Sequence, residues 1–508
     1  MGGHYEKGLF NQLMEVQARL EAVEEAHKKD RKEVQSLTKE VKHLREENQT
    51  LRTELMTVRE ENRTLRAENA ELGKENALLR QDNERMKRIL SNNSSNSSLP
   101  PSGDAGRGKP ANTYNSRTKT GKKAGGQSGH PGRHLSRTEV ERKIREGVYE
   151  HRVEEIGTPG GTYVTRYRLD FEVKTVATEI RIYADADGKF RIPEGMRGEV
   201  FYGDKIQGIV GFLYSVGVMV NDRICDFLNA LSGDALDIST GSVYGFCQKV
   251  GEKCAQIRPI IEEDVLNSPT VCTDATTIKT NGVQTYIRNF STPRSALYVG
   301  AEKKDLETLR EMRILKEFTG TLIHDHETAL YHFGTGHGEC NVHLERYLRK
   351  NTEETGNAWS RDMSGFLRGM NHARKEELSA GRRGFSAGRL EQYGKRYDEI
   401  LAAGREENQH TKGKVARQEE NALLNRLEAY KANHLLFLHD FDVPFSNNMS
   451  EKDLRICKNR QKMAGGFRNS VGRQMYCDIL SFVETVKRRG MNVFQSIAAL
   501  INGTPVLS

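Results

Sequence analysis

The chain has 508 residues and a formal net charge of +8, and 36% of its side chains are hydrophobic, enough for at least one substantial core beside polar extensions. Seven cysteines (Cys225, Cys247, Cys254, Cys272, Cys340, Cys457, Cys477) lie apart with no Cys-x-x-Cys pair, which excludes a disulfide framework and points to a reduced cytoplasmic chain. No secretory signal precedes Leu9, and the most apolar run, Ile206 to Val220, is too short and interrupted to span a bilayer, so no membrane partner is expected.

Residues 1–90 read as a dimerising coiled coil. Leu37, Leu44, Leu51, Val58, Leu65, Leu72, Leu79 and Met86 recur every seven residues, and the positions three before them hold Val34, Val41, Asn48, Leu55, Asn62, Asn69, Asn76 and Asn83. The register reaches back through Leu13, Val16, Leu20 and Val23, with a weak spot at His27 and Asp30. Leucine at the second core position favours two strands, and asparagine at the first fixes register and partner number at a cost in stability. Five such asparagines predict a parallel homodimer, open to higher assembly, with a rod of roughly 120 Å at 1.5 Å per residue.

Residues 91–137 form a basic linker. Between Gly103 and Arg137 stand eight cations, Lys119, Lys122 and Lys123 among them, against Asp104 alone, so eight less one places +7 of the total +8 in this window. A Gly/Ser/Pro-rich segment of this kind cannot bury apolar area, and it is predicted to stay disordered until a polyanion neutralises it. Over 138–200 the sequence alternates as three short strands (163–168, 171–174, 179–183), a small β module held by strand pairing alone. Over 201–267, Ile206–Val216, Arg223–Leu231 and Thr240–Val265 read as helices, capped at Ser239 or Thr240. The last two are joined through Ser232-Gly233-Asp234, which is compatible with a DNA-binding helix-turn-helix, although helix pairs of this kind more often serve packing.

Residues 268–349 change character. Thr270 to Lys279 is a β-branched strand with Asp274 in its middle; Asn281-Gly282 is a hairpin signal; Val283–Phe290 and Ser295–Val299 are further strands. A helical stretch over Asp305–Phe318 leads to an apolar strand, Gly320 to Ile323, that runs through His324 to Asp325. A lone strand acid usually pairs with a lysine or arginine, and a lone strand-end acid usually caps a helix. Strand, strand and helix acids in order instead suggest a ribonuclease-H-like core presenting carboxylates to two hard cations, Mg²⁺ or Mn²⁺. Residues 350–440 are charged and helical, with apolar stripes through Leu378, Leu390, Tyr397, Ile400, Leu424 and Leu427, and they read as an inserted antiparallel arm with Trp359 in its core. Cys340 and His343 are two ligands lacking two more, which is not a zinc site, and they read as packing.

Residues 441–508 complete the core. If the chain is helical from about Asn448, Glu451, Arg455 and Lys458 fall on one face, and Arg460, Lys462, Arg468 and Arg473 extend the positive charge past Gly465-Gly466 and Phe467. Simple salt bridging accounts for many such helices. An acid able to hold a metal beside cations able to hold phosphates also suits phosphodiester chemistry.

The set Cys272-Thr273-Asp274-Ala275-Thr276, Ile323-His324-Asp325 ahead of Ala329 and Tyr331, Cys340-Asn341-Val342-His343 with Arg346, and Asn447-Asn448 through Glu451, Leu454-Arg455 and Lys458-Asn459 resembles the insertion-sequence-66 group of DDE transposases. Upstream, Asn96 to Asp104 and Gly125 to Gly132 are similar to that group's linker signatures, so the resemblance covers the chain from about Leu90 onward. It implies a catalytic and metal-binding triad at Asp274, Asp325 and Glu451 with Mg²⁺ or Mn²⁺. Arg455, Lys458, Arg460 and Lys462 would lie against DNA. The group usually carries a four-cysteine zinc site ahead of the core; residues 138–195 contain no cysteine here, so zinc cannot be held that way.

The resulting expectation is a multidomain α/β protein: parallel coiled coil, small β module, helical DNA-binding region, and a ribonuclease-H-like catalytic core with a helical insertion. Its expected activity is metal-dependent cleavage and transfer of an insertion element, acting on element ends and target DNA at the nucleoid, with room for accessory proteins. A catalytically silent DNA-binding dimer and a metal-dependent nuclease without strand transfer fit the same residues.

Overall fold

The computed structural model describes residues 3–91, 135–156, 162, 164–193, 196, 198–334 and 336–507. Two compact units divide the chain at Ser91. The basic linker, with Lys119, Lys122 and Lys123, lies outside the described residues apart from its last few positions. No helix among the described residues is long and apolar enough to cross a membrane.

The first unit is one uninterrupted helix, α1 (Gly3–Ser91), of 89 residues, or about 130 Å at 1.5 Å per residue. Every heptad leucine from Leu37 to Leu79 stands 51–56% exposed in the single chain. An apolar stripe this long is left in water unless another helix covers it.

In the second unit a short helix, α2 (Arg137–Arg145), capped by the Ser136 hydroxyl, precedes the predicted β module. That module does not form as expected. Among the described residues of 162–193 the only pairing is an isolated bridge between Ala184 and Phe190, closing a loop in which Asp185 accepts from the Asp187 and Lys189 amides and pairs with Arg191. Phe171 is 77% exposed and Val164 81%. Alternation makes the backbone extended, but two or three short strands with neither face buried are too small to hold one another.

Three helices follow: α3 (Asp204–Ser215), α4 (Asn221–Leu231) and α5 (Thr240–Leu266). The α4–α5 connection is locked by Asn229, whose side chain bonds both the carbonyl and the amide of Ile238. Ile224, Leu228, Ile238 and Val243 are buried there, so this pair is built into the core.

The sheet is mixed, in the order β3-β2-β1-β4-β5. β1 (Thr270–Thr280) and β2 (Val283–Ser291) form a hairpin whose Asn281 and Gly282 both have positive φ, 52° and 78°, as a type I′ turn requires. β3 (Ala296–Ala301) pairs antiparallel with β2. A crossover through two short helices, α6 (Leu306–Glu311) and α7 (Arg313–Glu317), delivers β4 (Thr321–His324) parallel to β1, and β5 (Gly336–Glu339) pairs parallel with β4. Gly338 leaves room on β5 for its neighbour: a Cβ there would stand 2.7 Å from Ile323 Cδ1, so that buried side chain would have to shift.

The insertion, read from sequence as an antiparallel helical arm, is a helical bundle packed on the sheet. It comprises α8 (Asn341–Thr355), α9 (Ala358–Ser379), α10 (Ala387–His410), α11 (Lys414–Ala429) and α12 (Lys431–His439). Leu344, Trp359, Met363, Tyr397, Leu424 and Phe437 share one core with Cys272 of β1 and Ile323 of β4. Trp359 is buried, as predicted, and donates its indole N–H to Glu420 at 2.6 Å. The chain then returns through α13 (Asn448–Ala464), α14 (Ser470–Arg488) and α15 (Val493–Ile501), with α14 packed on α5 and β3 and α15 packed on α3.

Burial pushes the Glu420 carboxyl up, but donors from Thr411, Trp359, Asn408 and Asn357 more than offset this and hold it below its ordinary value. Removing it strands those donors in the core, so Glu420→Ala should cost about 3 kcal/mol or more at neutral pH. A carboxyl depressed on folding contributes stability above its unfolded value, and that contribution disappears as pH falls toward the folded one. Thermal unfolding should therefore show the gap between wild type and variant narrowing below about pH 4.5.

Candidate active site

Two of the three predicted acids are brought together by strand register. Cys272 of β1 pairs in parallel with Ile323 of β4, so two residues further along each strand direction Asp274 and Asp325 stand at the same level and on the same face. The carboxyl of Asp274 is pushed up to about 7, first by desolvation and then by the charge of Asp325, while the Ala275 amide at 2.7 Å pulls it the other way. His324, the last residue of β4, is buried, and burial lowers its pKa to about 4, keeping it neutral.

Glu451 arrives on the first turn of α13, which is fastened to the same sheet. Asn447 Nδ2 donates to the Thr273 carbonyl at 2.8 Å, and Ser450 Oγ bonds Asn289 Oδ1 at 2.5 Å. Asn289 is the β2 partner of Asp274, and further along α13 Lys458 Nζ donates to the Thr277 carbonyl at 2.8 Å. The helix is thus stapled along β1, with its acid beside His343.

His343 stands among these acids, within electrostatic reach of both Asp325 and Glu451. Burial lowers its pKa, so the ring is held toward neutral. Arg346 approaches Nε2 at 3.1 Å, and a guanidinium only donates, so Nε2 accepts and the ring proton sits on Nδ1, 3.6 Å from Glu451 Oε1. Glu451 Oε1 is buried with no hydrogen-bond partner among the described residues.

Cys340, His343 and Glu451 place donor atoms within 4.8 Å of one another, a grouping the sequence reading did not foresee. It is a poor site for a soft metal. Burial pushes the Cys340 thiol up to about 12, its sulfur accepts from the Asn447 amide at 3.2 Å, and the His343 proton occupies the nitrogen that would ligate. Asp274 and Asp325 offer hard oxygen donors at one level of the sheet, the first of them forced toward protonation, and Glu451 keeps an unfilled oxygen beside His343.

The predicted cations separate into two kinds. Arg455 and Lys462 are exposed on α13. Arg460 is not available to DNA: it is buried 4.3 Å over the Tyr214 ring, faces Tyr476 as well, and donates to the Met219 carbonyl at 2.6 Å. Lys458 is spent on Thr277 and half-buried, and burial lowers its pKa. Arg473, part of the predicted positive extension, is likewise buried and paired with Glu302 at 2.5 Å. Asp453, on the same helix as Glu451, is committed to Arg488 and Ser291.

Sequence reading missed the charges beside Asp274. Arg288 on β2 is buried, bonds Thr273 Oγ1 at 3.2 Å and pairs with Glu327 at 2.6 Å; Lys304 lies 3.4 Å from Glu327 and is 34% exposed. Both cations act electrostatically on Asp274. Their positions, fourteen residues after Asp274 on the hairpin partner and in the β3–α6 loop, carry no motif; only the β1–β2 register would have exposed Arg288.

The chain belongs to the IS66 family of transposases, whose family model matches residues 219–475 and so takes in β1 to β5, the insertion and Glu451. Residues 10–136 match a family of unknown function (DUF6444), a stretch covering most of α1 and the basic linker. Among curated proteins none matches the chain.

Asp274 has a folded pKa raised above its ordinary value of 3.8, so its contribution to metal-free stability is present below about pH 4 and is lost as pH rises through about 7. Asp274→Asn should therefore unfold at a higher temperature than wild type at pH 8 without divalent ions, the difference vanishing near pH 4. Equal melting at pH 8 would show that the two aspartates do not repel.

Proposed function

We propose that this transposase cleaves and joins DNA through a DDE site of Asp274, Asp325 and Glu451 holding two Mg²⁺ or Mn²⁺ ions. What supports this is the parallel register setting Asp274 beside Asp325, with α13 stapled to the same strand and His343 within electrostatic reach of both Asp325 and Glu451. A strand order of three antiparallel strands followed by two parallel ones supports a ribonuclease-H-like core.

When bound, the metals would supply a Lewis acid for the attacking water or DNA 3′-hydroxyl and for the leaving oxygen of an in-line displacement. The chain's own residues do the rest. Asp274, Asp325 and Glu451 offer only hard oxygen donors. The neutral His343 keeps its Nδ1 3.6 Å from Glu451 Oε1, beyond hydrogen-bond distance, while Arg346 fixes the ring's tautomer. Exposed Arg455, Lys462 and Lys304 are placed to hold flanking phosphates, contacts that position DNA without reading its sequence. Lys119, Lys122 and Lys123 of the linker would add salt-sensitive, sequence-independent affinity.

The half-exposed heptad seam of α1 supports a parallel two-stranded coiled coil between two copies, in which the asparagine layers set register. Such a dimer would present two catalytic units to two DNA ends, in keeping with work at the nucleoid.

Glu451→Gln should lower metal-dependent cleavage and joining of element-end DNA by about three orders of magnitude or more and leave DNA affinity unchanged, since an acid gives nothing to backbone binding. Arg455→Ala should weaken both, by a phosphate contact common to ground and transition states. Intact cleavage in Glu451→Gln would remove the third acid from the site. Sedimentation of the full chain at micromolar concentration should give twice the chain mass, and replacing Leu51, Leu65 and Leu72 with alanine should return it to a monomer.

A further inference from the structure

The residues on the C-terminal side of Asp325 are tied to different parts of the fold. His326 has φ +67°, a left-handed conformation that costs a histidine energy and persists only where its surroundings enforce it. Its Nδ1 lies 2.5 Å from Glu339 Oε1. Glu339 closes β5 and its side chain is fully buried; it also accepts from the Tyr331 hydroxyl, from Arg426 at 2.7 Å and from His434 Nε2 at 3.0 Å. Arg426 belongs to α11 and His434 to α12, so both come from the insertion. The Tyr430 ring meets His326 edge-on at 4.7 Å between centroids. The residue directly after His326, Glu327, is held by Arg288 and Lys304.

A buried carboxylate is tolerated only when its lone pairs are filled, and an apolar side chain could occupy the same volume without the desolvation cost. What the charge adds is direction. Four donors converge on Glu339 from the Asp325 loop, the 3₁₀ turn after it and two insertion helices, and only one of those bonds, that from His326, reaches the residue next to Asp325.

We propose that Glu339 is a positioning residue for Asp325, acting through His326, so that metal binding at Asp325 depends on the helical insertion. The proposal rests on the reading of Asp325 as a metal ligand. It gives the insertion a role in the chemistry: Arg426 and His434 hold Glu339, Glu339 holds His326, and His326 sets the backbone from which the second acid projects. Loss of such an outer-shell partner typically weakens metal affinity by about 10–100-fold.

Mn²⁺ titration of the full chain, followed by calorimetry and by the electron spin resonance of bound Mn²⁺, tests this without reference to activity. His326→Gly accepts the left-handed backbone freely but removes the anchor, and it should weaken Mn²⁺ binding about tenfold or more while the unfolding temperature stays near wild type. His326→Asn also tolerates that backbone and places an amide donor where Nδ1 stood, so it should restore most of the affinity. Glu339→Gln should reproduce the loss; if it does not fold, the His326 pair decides. Wild-type Mn²⁺ affinity in His326→Gly, alongside its loss in Asp325→Asn, overturns the clamp and leaves the ligand intact. Unchanged affinity in Asp325→Asn overturns the ligand assignment and the clamp with it.

Discussion

Two carboxylates at one level of a parallel strand pair are the constraint around which this core is arranged. Desolvation and mutual repulsion drive Asp274 toward protonation at neutral pH, an arrangement that is unfavourable to the bare protein. Nothing in sheet packing requires it. The surroundings look organised to tolerate it: Arg288 and Lys304 supply positive potential from one side, the Ala275 amide caps one oxygen, and Asn447 and Ser450 hold a third acid-bearing helix close by. A cation bound there, as proposed above, would relieve that repulsion.

The same logic separates the two sorts of arginine on and near α13. Arg460 and Arg473 lie inside, one between tyrosine faces and the other paired to Glu302, and they join the last helices to the rest of the core. Arg455 and Lys462 remain outside. A stretch that reads as a continuous basic surface is therefore half scaffold and half interface, and its usable positive charge is smaller than the sequence count.

Much of the core was readable from local pattern because its signals are local. β-branched runs with an Asn-Gly turn specify the β1–β2 hairpin, an apolar strand ending on an acid specifies β4, and a heptad of leucines specifies α1. What escaped depends on partners. Alternation in 162–193 identifies extended backbone but not whether a neighbour exists, and there the described strands stay unpaired. Helical periodicity finds the face shared by Glu451, Arg455 and Lys458, yet only tertiary packing decides that Lys458 meets Thr277 while Arg455 meets water. The Cys340–His343 spacing could not reveal Glu451 as their neighbour, more than a hundred positions away. Glu339 carried no motif at all, being one acid at the end of a four-residue strand.

Placing a bundle between the second and third acids also orders events in time. Glu451 follows Asp325 by 126 positions, so a ribosome adding about 5–20 residues per second needs roughly 6 to 25 s between them. During that interval the nascent sheet can hold its two aspartates side by side, but α13, with the asparagine and serine that staple it, has yet to emerge. A growing or prematurely ended chain thus lacks its third carboxylate however well its strands have folded.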